Sequence, residues 1–425
     1  LQCHYLMRAA LQVHRARLAD GREVAVKVQY PGLARAVAAD LMTLRLLARL
    51  ARDAPSGGGA PSSSSDGGDD ASDESGIPDL SWVVAQLERN LARELDFVAE
   101  GRNAERVAAA FAAFGASGGG PGAVATAPAV VWERSSRRVL TMAWQEGCRV
   151  DDAAALRAAG LNTADVARAL VDAVGQMAFC FGAPCRMLEA CRDIFGRCSD
   201  AHIVAGFVHG DLHPGNIRVV AAPPAPRGFL ARLLRLPCGR LRPQLVLLDH
   251  GLYAELDEAS RLAYCALWRA VALGDAAAAV AAGSALVAGT GEQWSLMTMR
   301  PEALSKGERA AARSAARLRS AADVAEFLSG VPPALGVAFR AQGLLRAVTL
   351  QLGLTRGERM RRTLDAAATG AACRNGAMPA GVAARARLAA SRLADRCRFA
   401  FRVVLFSTQM LAARMRGSME SAQTQ

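Results

Sequence analysis

Apolar and polar faces alternate through Val24 to Val28 within Glu23 to Gln29, and Asp20-Gly21 joins that run to Gln12 to Leu18. A period of two marks half-buried strands, and Asp-Gly is a hairpin turn signal, so an antiparallel hairpin is predicted here. In its second strand Ala25 and Lys27 share one face, opposite Val24, Val26 and Val28. From Trp82 the period changes. Val83, Leu87, Leu91, Leu95 and Val98 recur at helical spacing, with Asp79 or Ser81 as the N-cap and with Glu88, Glu94, Asp96 and Glu100 riding on the same helix. A further helix is predicted over Ala167 to Phe181. The apolar runs Ile217 to Val220 and Gln244 to Leu248 predict two buried strands.

Three tracts interrupt these elements. Pro55 to Gly76 is rich in Ser, Gly and Asp, Ala116 to Pro128 in Gly, Ala and Pro, and Ala221 to Pro243 in Pro and Arg. Such composition reads as disordered insertion rather than core. With 425 residues, 52% of them hydrophobic, the chain can bury a substantial core in two or three domains. Its ten cysteines lack paired spacing, which reads as a reducing compartment and excludes a disulfide scaffold. The formal charge of +12 points to an anionic partner. Arg is spread without aromatic interleaving or zinc-finger spacing, so nucleic-acid binding is not expected. Ala383 to Met415 is Arg-rich with a helical pattern, and its apolar run Phe399 to Phe406 is too short and too charged to span a bilayer. That run either packs on the rest of the fold, the reading favoured here, or lies on an anionic membrane surface.

The chemistry concentrates in two stretches. Val208-His209-Gly210-Asp211-Leu212-His213-Pro214-Gly215-Asn216 places Asp211 and Asn216 five apart, and Leu247-Leu248-Asp249-His250-Gly251 follows downstream. Phosphoryl-transfer sites use this order: an Asp that orients the attacking hydroxyl, an Asn that holds metal, and an Asp before Gly that binds metal on the phosphates. Pro and Gly also make ordinary turns, so either half alone could be a polar hairpin. The two halves together with a suitable Lys outweigh that alternative. The chain has only two Lys, Lys27 and Lys306, among a large majority of Arg. Lys27 beside small Ala25 suits a surface where adenine passes Ala25 and a compact ammonium meets phosphate. A carboxylate partner for Lys27 is expected from Glu94 or Glu100, whereas Glu88 and Asp96 read as a solvated face.

These residues resemble the UbiB/AarF-domain-containing atypical kinase family, proteins linked to isoprenoid quinone biology. The match runs through Gln12 to Ala16, Asp20 to Gly32, Glu94-Leu95-Asp96-Phe97 with Glu100 and Asn103, Val139 to Met142, Phe207 to Asn216 and Leu248 to Gly251. Asp249-His250-Gly251-Leu252-Tyr253 is similar to one subgroup, usually mitochondrial. The resemblance implies an α+β, two-lobed protein-kinase-like fold with a small antiparallel-sheet lobe and a mainly helical large lobe. It implies ATP and Mg2+ as nucleotide and cofactor. Lys27 would contact phosphates, Glu94 and Asp96 would form an acidic motif with Glu100 beyond it, and Asp211 would be the catalytic-loop acid. Asn216 and Asp249 would ligate metal, and Met142, Ala143, Trp144 and Glu146 would belong to the hinge that adenine reaches. The expected partners are nucleotide, an isoprenoid lipid or quinone-biosynthesis proteins, and a membrane surface in a mitochondrion or plastid.

The chain also departs from that pattern. The family carries a helical extension with a KxGQ motif and an alanine-rich loop, where this chain starts at Leu1 and offers Met7 to Leu11, as a fragment or shortened gene product would. Ala183 to Ala205 with Cys185, Cys191 and Cys198 is an extra loop or translated non-coding sequence, and its cysteine spacing does not fit zinc. The resulting expectation is a small lobe over residues 1–146, a large lobe over 147–354 and a C-terminal helical region over 355–425. The activity expected is that of an atypical kinase or ATPase. A catalytically impaired scaffold and a small-molecule phosphotransferase of the aminoglycoside or choline kinase type are the alternatives; the latter lack the contexts around Glu94 and Gln29.

Overall fold

The predicted hairpin forms as β1 (Leu11–Arg17) and β2 (Glu23–Gln29), antiparallel, with Arg15 opposite Ala25 and Val13 opposite Lys27. The turn closes because the Asp20 carboxylate accepts the Arg22 N–H at 3.0 Å while Gly21 takes a φ of 87°, a left-handed conformation that glycine adopts without steric cost. This is a computed structural model, and it describes residues 11–53, 81–115, 123–181, 206–223, 241–298, 313–314, 316–318, 321–373, 378–379 and 381–423. The tract 55–76, the loop 183–205 with its three cysteines, residues 7–10 and the proposed cap Asp79 lie outside the described residues, as do parts of the other two tracts.

Helix α1 (Leu33–Asp53) follows the hairpin, then α2 (Ser81–Glu94) and α3 (Phe97–Phe114). The sequence predicts one helix through Leu95 and Val98; the structure breaks it at Leu95-Asp96. Asp96 is the N-cap of α3, its carboxylate accepting the N–H groups of Val98 at 3.0 Å and Ala99 at 3.3 Å. A capping carboxylate satisfies donors that have no partner within the helix, so Asp96 competes with the apolar periodicity and wins. It is therefore a structural cap and not the solvated-face residue expected. The amide of Gln29 donates to the Leu95 carbonyl at 2.8 Å, which ties the break to β2. Glu88 pairs with Arg45 between α2 and α1.

After β3 (Ala125–Thr126), β4 (Val139–Ala143) lies antiparallel on the free side of β2, with Leu140 opposite Lys27 and Met142 opposite Ala25. The sheet order is β1-β2-β4. Period-two geometry therefore puts Ala25, Lys27, Leu140 and Met142 on one face, toward α3. Phe97, Leu140 and Met142 form a small separate core there.

The large lobe contains β5 (Cys148–Arg149), α4 (Ala153–Ala158) and α5 (Thr163–Gly175), which runs on through a π turn to Cys180. Strands β6 (Phe207–His209), β7 (Ile217–Ala222), β8 (Arg242–Leu247) and β9 (Tyr253–Glu255) come next. They make a four-stranded sheet in the order β3-β8-β7-β5 and a short pair β6-β9. The rest is helical: α6 (Glu258–Leu273), α7 (Ala276–Leu286), α8 (Gly291–Thr298), α9 (Ala321–Gly330), α10 (Pro333–Gln351), α11 (Arg356–Ala372) and α12 (Val382–Gln423). The architecture is α+β. One large core joins Leu170, Val174 and Met177 of the α5 segment to both groups of strands and to the later helices. Helix α3 serves both cores, through Phe97 at its start and through Val107, Phe111 and Phe114 towards its end.

Helix α12 packs through Leu388 and through the buried Asp395, which accepts two hydrogen bonds from Arg269 at 2.7 and 2.8 Å. Much of the run from Phe399 to Leu405 is open rather than packed as favoured above: Phe401 is 71% exposed and Val404 60%. Within that run Arg402 reaches back, donating to the Ala272 carbonyl at 3.1 Å near the end of α6. No helix among the described residues is long and apolar enough to cross a membrane.

Candidate functional site

Lys27 is buried on the cleft face of β2, and a buried ammonium needs acids around it. Glu100 supplies them from the first turn of α3, with Nζ 2.8 Å from Oε1 and 2.9 Å from Oε2. The alternatives Glu94 and Glu100 resolve to Glu100 because the break at Asp96 starts a new helix and turns its first turn toward β2. Glu94 ends α2 instead and borders the second motif: its Cγ would lie 3.5 Å from a Cβ placed on Gly251. Asp249 is the second partner of Lys27, at 3.4 Å. Burial opposes the Lys27 charge, but the attraction of Asp249 and Glu100 holds its pKa above the ordinary value. Desolvation likewise opposes ionisation of Asp249, yet Lys27 and the Gly251 N–H, at 3.1 Å, hold that carboxyl well below the usual range. Glu100 is pushed up by its deep burial.

The loop of Asp249 is fixed from three sides. Leu248 N–H donates to the Asn216 carbonyl at 2.9 Å, the Asn103 amide to the His250 carbonyl at 3.0 Å, and the His250 N–H to Glu100 at 3.3 Å. His250 itself is fully buried. Its Nε2 lies 2.9 Å from the Leu247 carbonyl and must donate, so Nδ1 accepts from the Tyr253 hydroxyl at 2.9 Å. Both ring nitrogens are thus used by a neutral imidazole. Burial, reinforced by His209, pushes its pKa down to about 3.

The other half of the site is a tight loop. His209, at the end of β6, accepts the Asp211 N–H on Nδ1 at 3.0 Å, and a short helical turn spans Pro214–Asn216. The Asn216 amide donates to Asp211 Oδ2 at 2.7 Å, so its carbonyl oxygen is left to accept or to ligate. Antiparallel pairing of β7 with β8, Ile217 opposite Leu247, brings Asn216 beside Asp249. Arg340 of α10, which no sequence signal singles out, lies 3.7 Å from Asp211 Oδ1.

The residues expected at the hinge behave differently. Met142 is a buried member of the small core. Ala143 and Trp144 spend their N–H groups on the carbonyls of Ala129 at 2.8 Å and Glu23 at 3.0 Å. The Trp144 indole donates to Glu146 at 3.0 Å, and Arg15 stacks over its ring at 4.7 Å while pairing with Glu146 at 3.0 Å. Arg15 faces Ala25 across the ladder, so this exposed cluster borders the surface beside Ala25.

Asn216 and Asp249 carry hard oxygen atoms on two segments that the β7–β8 pairing brings together. Among the described residues no three acidic, imidazole or thiol groups converge as a metal site. Two protein oxygens, with substrate phosphates and water completing the shell, is the habit of magnesium, and these residues fit it.

Comparison with known proteins shows the family. The family model for the ABC1 atypical kinase-like domain matches residues 9–184 and 185–282. The chain belongs to that family. It is 30% identical over 355 residues to the AarF domain-containing protein kinase 1 of Xenopus tropicalis, covering 80% of this chain and 55% of that protein. It is 27% identical over 353 residues to the probable serine/threonine-protein kinase abkB of Dictyostelium discoideum, covering 81% of this chain and 42% of that protein. The chain thus spans about half the length of these relatives. Among solved structures it is similar to that titled as the complex of Rv3197 with erythromycin from Mycobacterium tuberculosis, with a TM-score of 0.43 and 20% identity over 81% of this chain and 72% of that one. The fold is that of an ABC1 kinase-like domain, a small sheet lobe over a helical large lobe.

Proposed function

We propose that the cleft binds ATP with magnesium and transfers the γ-phosphoryl group to an acceptor hydroxyl or to water, as an atypical kinase or ATPase. One observation carries this reading: a buried Lys27 shared by Glu100 and Asp249, the latter on a segment that β7–β8 pairing joins to Asn216, itself bonded to Asp211. The same Lys–acid pair and metal-binding Asp are the parts that kinase sites require together. Lys27 orients phosphates, and Asp211, anchored by Asn216 and His209, orients the attacking hydroxyl. Asn216 and Asp249 would hold magnesium, which when bound supplies charge neutralisation on the phosphates. The low pKa of Asp249 supports this, since a carboxylate already ionised loses no proton on taking up a cation.

The relatives named as protein kinases support phosphoryl transfer as the reaction class. The wider reading, a role in isoprenoid quinone or lipid metabolism at a mitochondrial membrane surface, rests on the resemblance and on the net charge of +12. The exposed Phe401 and Val404 on an Arg-rich helix suit an anionic surface.

A thermal-shift titration with ATP and ADP, each with and without magnesium, tests the proposal beside Asp249→Asn. At nucleotide near a hundred times its Kd the native chain gains about 2.7 kcal/mol, and the variant loses the magnesium-dependent part. Unchanged binding in the variant removes Asp249 from the site. A folded chain that shifts with no nucleotide is a scaffold.

A further inference from the structure

Resting on the phosphoryl-transfer reading above, we propose that Arg340 is a further catalytic residue, an arginine supplied within the chain that neutralises charge on the phosphoryl group in transit. The loop itself supplies no such cation. Between His209 and Asn216 there is no Lys or Arg. His213, two residues after Asp211, turns back on its own loop, its Nδ1 accepting the Gly215 N–H at 3.1 Å. Lys27 is held between Glu100 and Asp249 on the roof of the cleft. From α10, Arg340 brings a positive charge to Asp211.

Helix α10 is seated for this role. Gly210 lets it approach, since a Cβ there would lie 2.8 Å from Val337 Cγ1 and 2.7 Å from Leu252 Cγ, closer than side chains tolerate. Arg340 follows Val337 by three residues, on the same face of the helix. Its guanidinium stands 3.7 Å from Asp211 Oδ1, longer than a hydrogen bond, so its donors are not spent on that carboxylate. The side chain is 49% exposed and able to move, whereas Asp211 is nearly buried at 8%. Asn216 holds the other carboxylate oxygen.

In the step proposed, the bond from the γ-phosphorus to the β,γ-bridging oxygen breaks and its electron pair leaves with ADP. The oxygen of water or of an acceptor hydroxyl forms the new bond to phosphorus, and its proton passes to Asp211. Charge spread over the three equatorial oxygens is what a forked guanidinium at Arg340 meets.

The experiment compares the native chain with Arg340→Ala and Arg340→Lys. Binding of ADP with magnesium is measured by calorimetry with and without aluminium fluoride, a mimic of the phosphoryl in transit, and ATP hydrolysis is followed in parallel. The expected result is ADP affinity within about twofold in all three and unchanged melting temperatures. The tightening by aluminium fluoride and the kcat both fall by roughly 10²–10³-fold in Arg340→Ala with KM unchanged, and Arg340→Lys recovers part. Tightening and turnover within twofold of native in Arg340→Ala would overturn the inference while leaving the nucleotide site standing. So would native protein that binds ADP yet gains nothing from aluminium fluoride. A native chain that binds no nucleotide removes the phosphoryl-transfer reading, and this inference with it.

Discussion

The two sides of the cleft are built differently. On the roof, Lys27, Glu100 and His250 are buried and every polar atom described for them has a partner, down to both nitrogens of the His250 ring. On the floor, Asn216 and Arg340 are partly open, and the contact between Arg340 and Asp211 is a loose 3.7 Å. The contrast shows which side stability depends on. Buried charges must be matched or the fold loses several kcal/mol, whereas half-open polar contacts carry little of the folding free energy.

The largest expected effect breaks the roof. Glu100→Ala leaves the Lys27 ammonium buried with Asp249 alone, at 3.4 Å, and is expected to cost about 3–5 kcal/mol in urea unfolding. A loss below about 1 kcal/mol would mean that the roof is as forgiving as the floor. Next comes His250→Phe, which keeps the ring shape but leaves the Leu247 carbonyl and the buried Tyr253 hydroxyl unpartnered, at about 1–3 kcal/mol for each such group.

The same ring gives the roof a pH signature. With its folded pKa pushed down to about 3 from 6.5, the unfolded chain takes up a proton on His250 before the native chain does. This contribution is complete above pH 6.5 and is lost as pH falls towards 3, at about 1.4 kcal/mol per pH unit. His209 shifts in the same direction, again through burial. Stability measured across that window should therefore fall less steeply in His250→Phe than in the native chain, though not become flat. Equal slopes would place the titration elsewhere.

The smallest effect is on the floor. Asn216→Ala removes the half-open hydrogen bonds of one amide to the Asp211 carboxylate and carbonyl and is expected to change the folding free energy by about 1 kcal/mol while abolishing magnesium-dependent nucleotide binding. If the variant unfolds as readily as Glu100→Ala, the distinction between the two sides fails.

Much of this was legible beforehand where a local rule sufficed. The hairpin, the shared face of Ala25 and Lys27 and the strands flanking the catalytic loop follow from period two and from Asp20-Gly21. The helix carrying the acids did not follow, because apolar spacing runs unbroken across Leu95 while the cap at Asp96 overrides it. Asp in that position is a favoured N-cap, and that was the available signal. The choice between Glu94 and Glu100 depended on this one break.

By itself the sequence determined the chemical parts and their order: one Lys in a strand, Asp211 and Asn216 five apart, Asp249 before His250-Gly251. Short-range spacing encodes these because turns and strands are local. The tertiary structure alone decided which acid meets Lys27, that His250 is a neutral packing hub tied to Tyr253, that Phe401 and Val404 stay exposed, and that Arg340 reaches Asp211 across 129 residues of chain. Those contacts arise from how α3, α10 and α12 pack on two separate cores, and packing of distant segments leaves no periodic mark on a single chain.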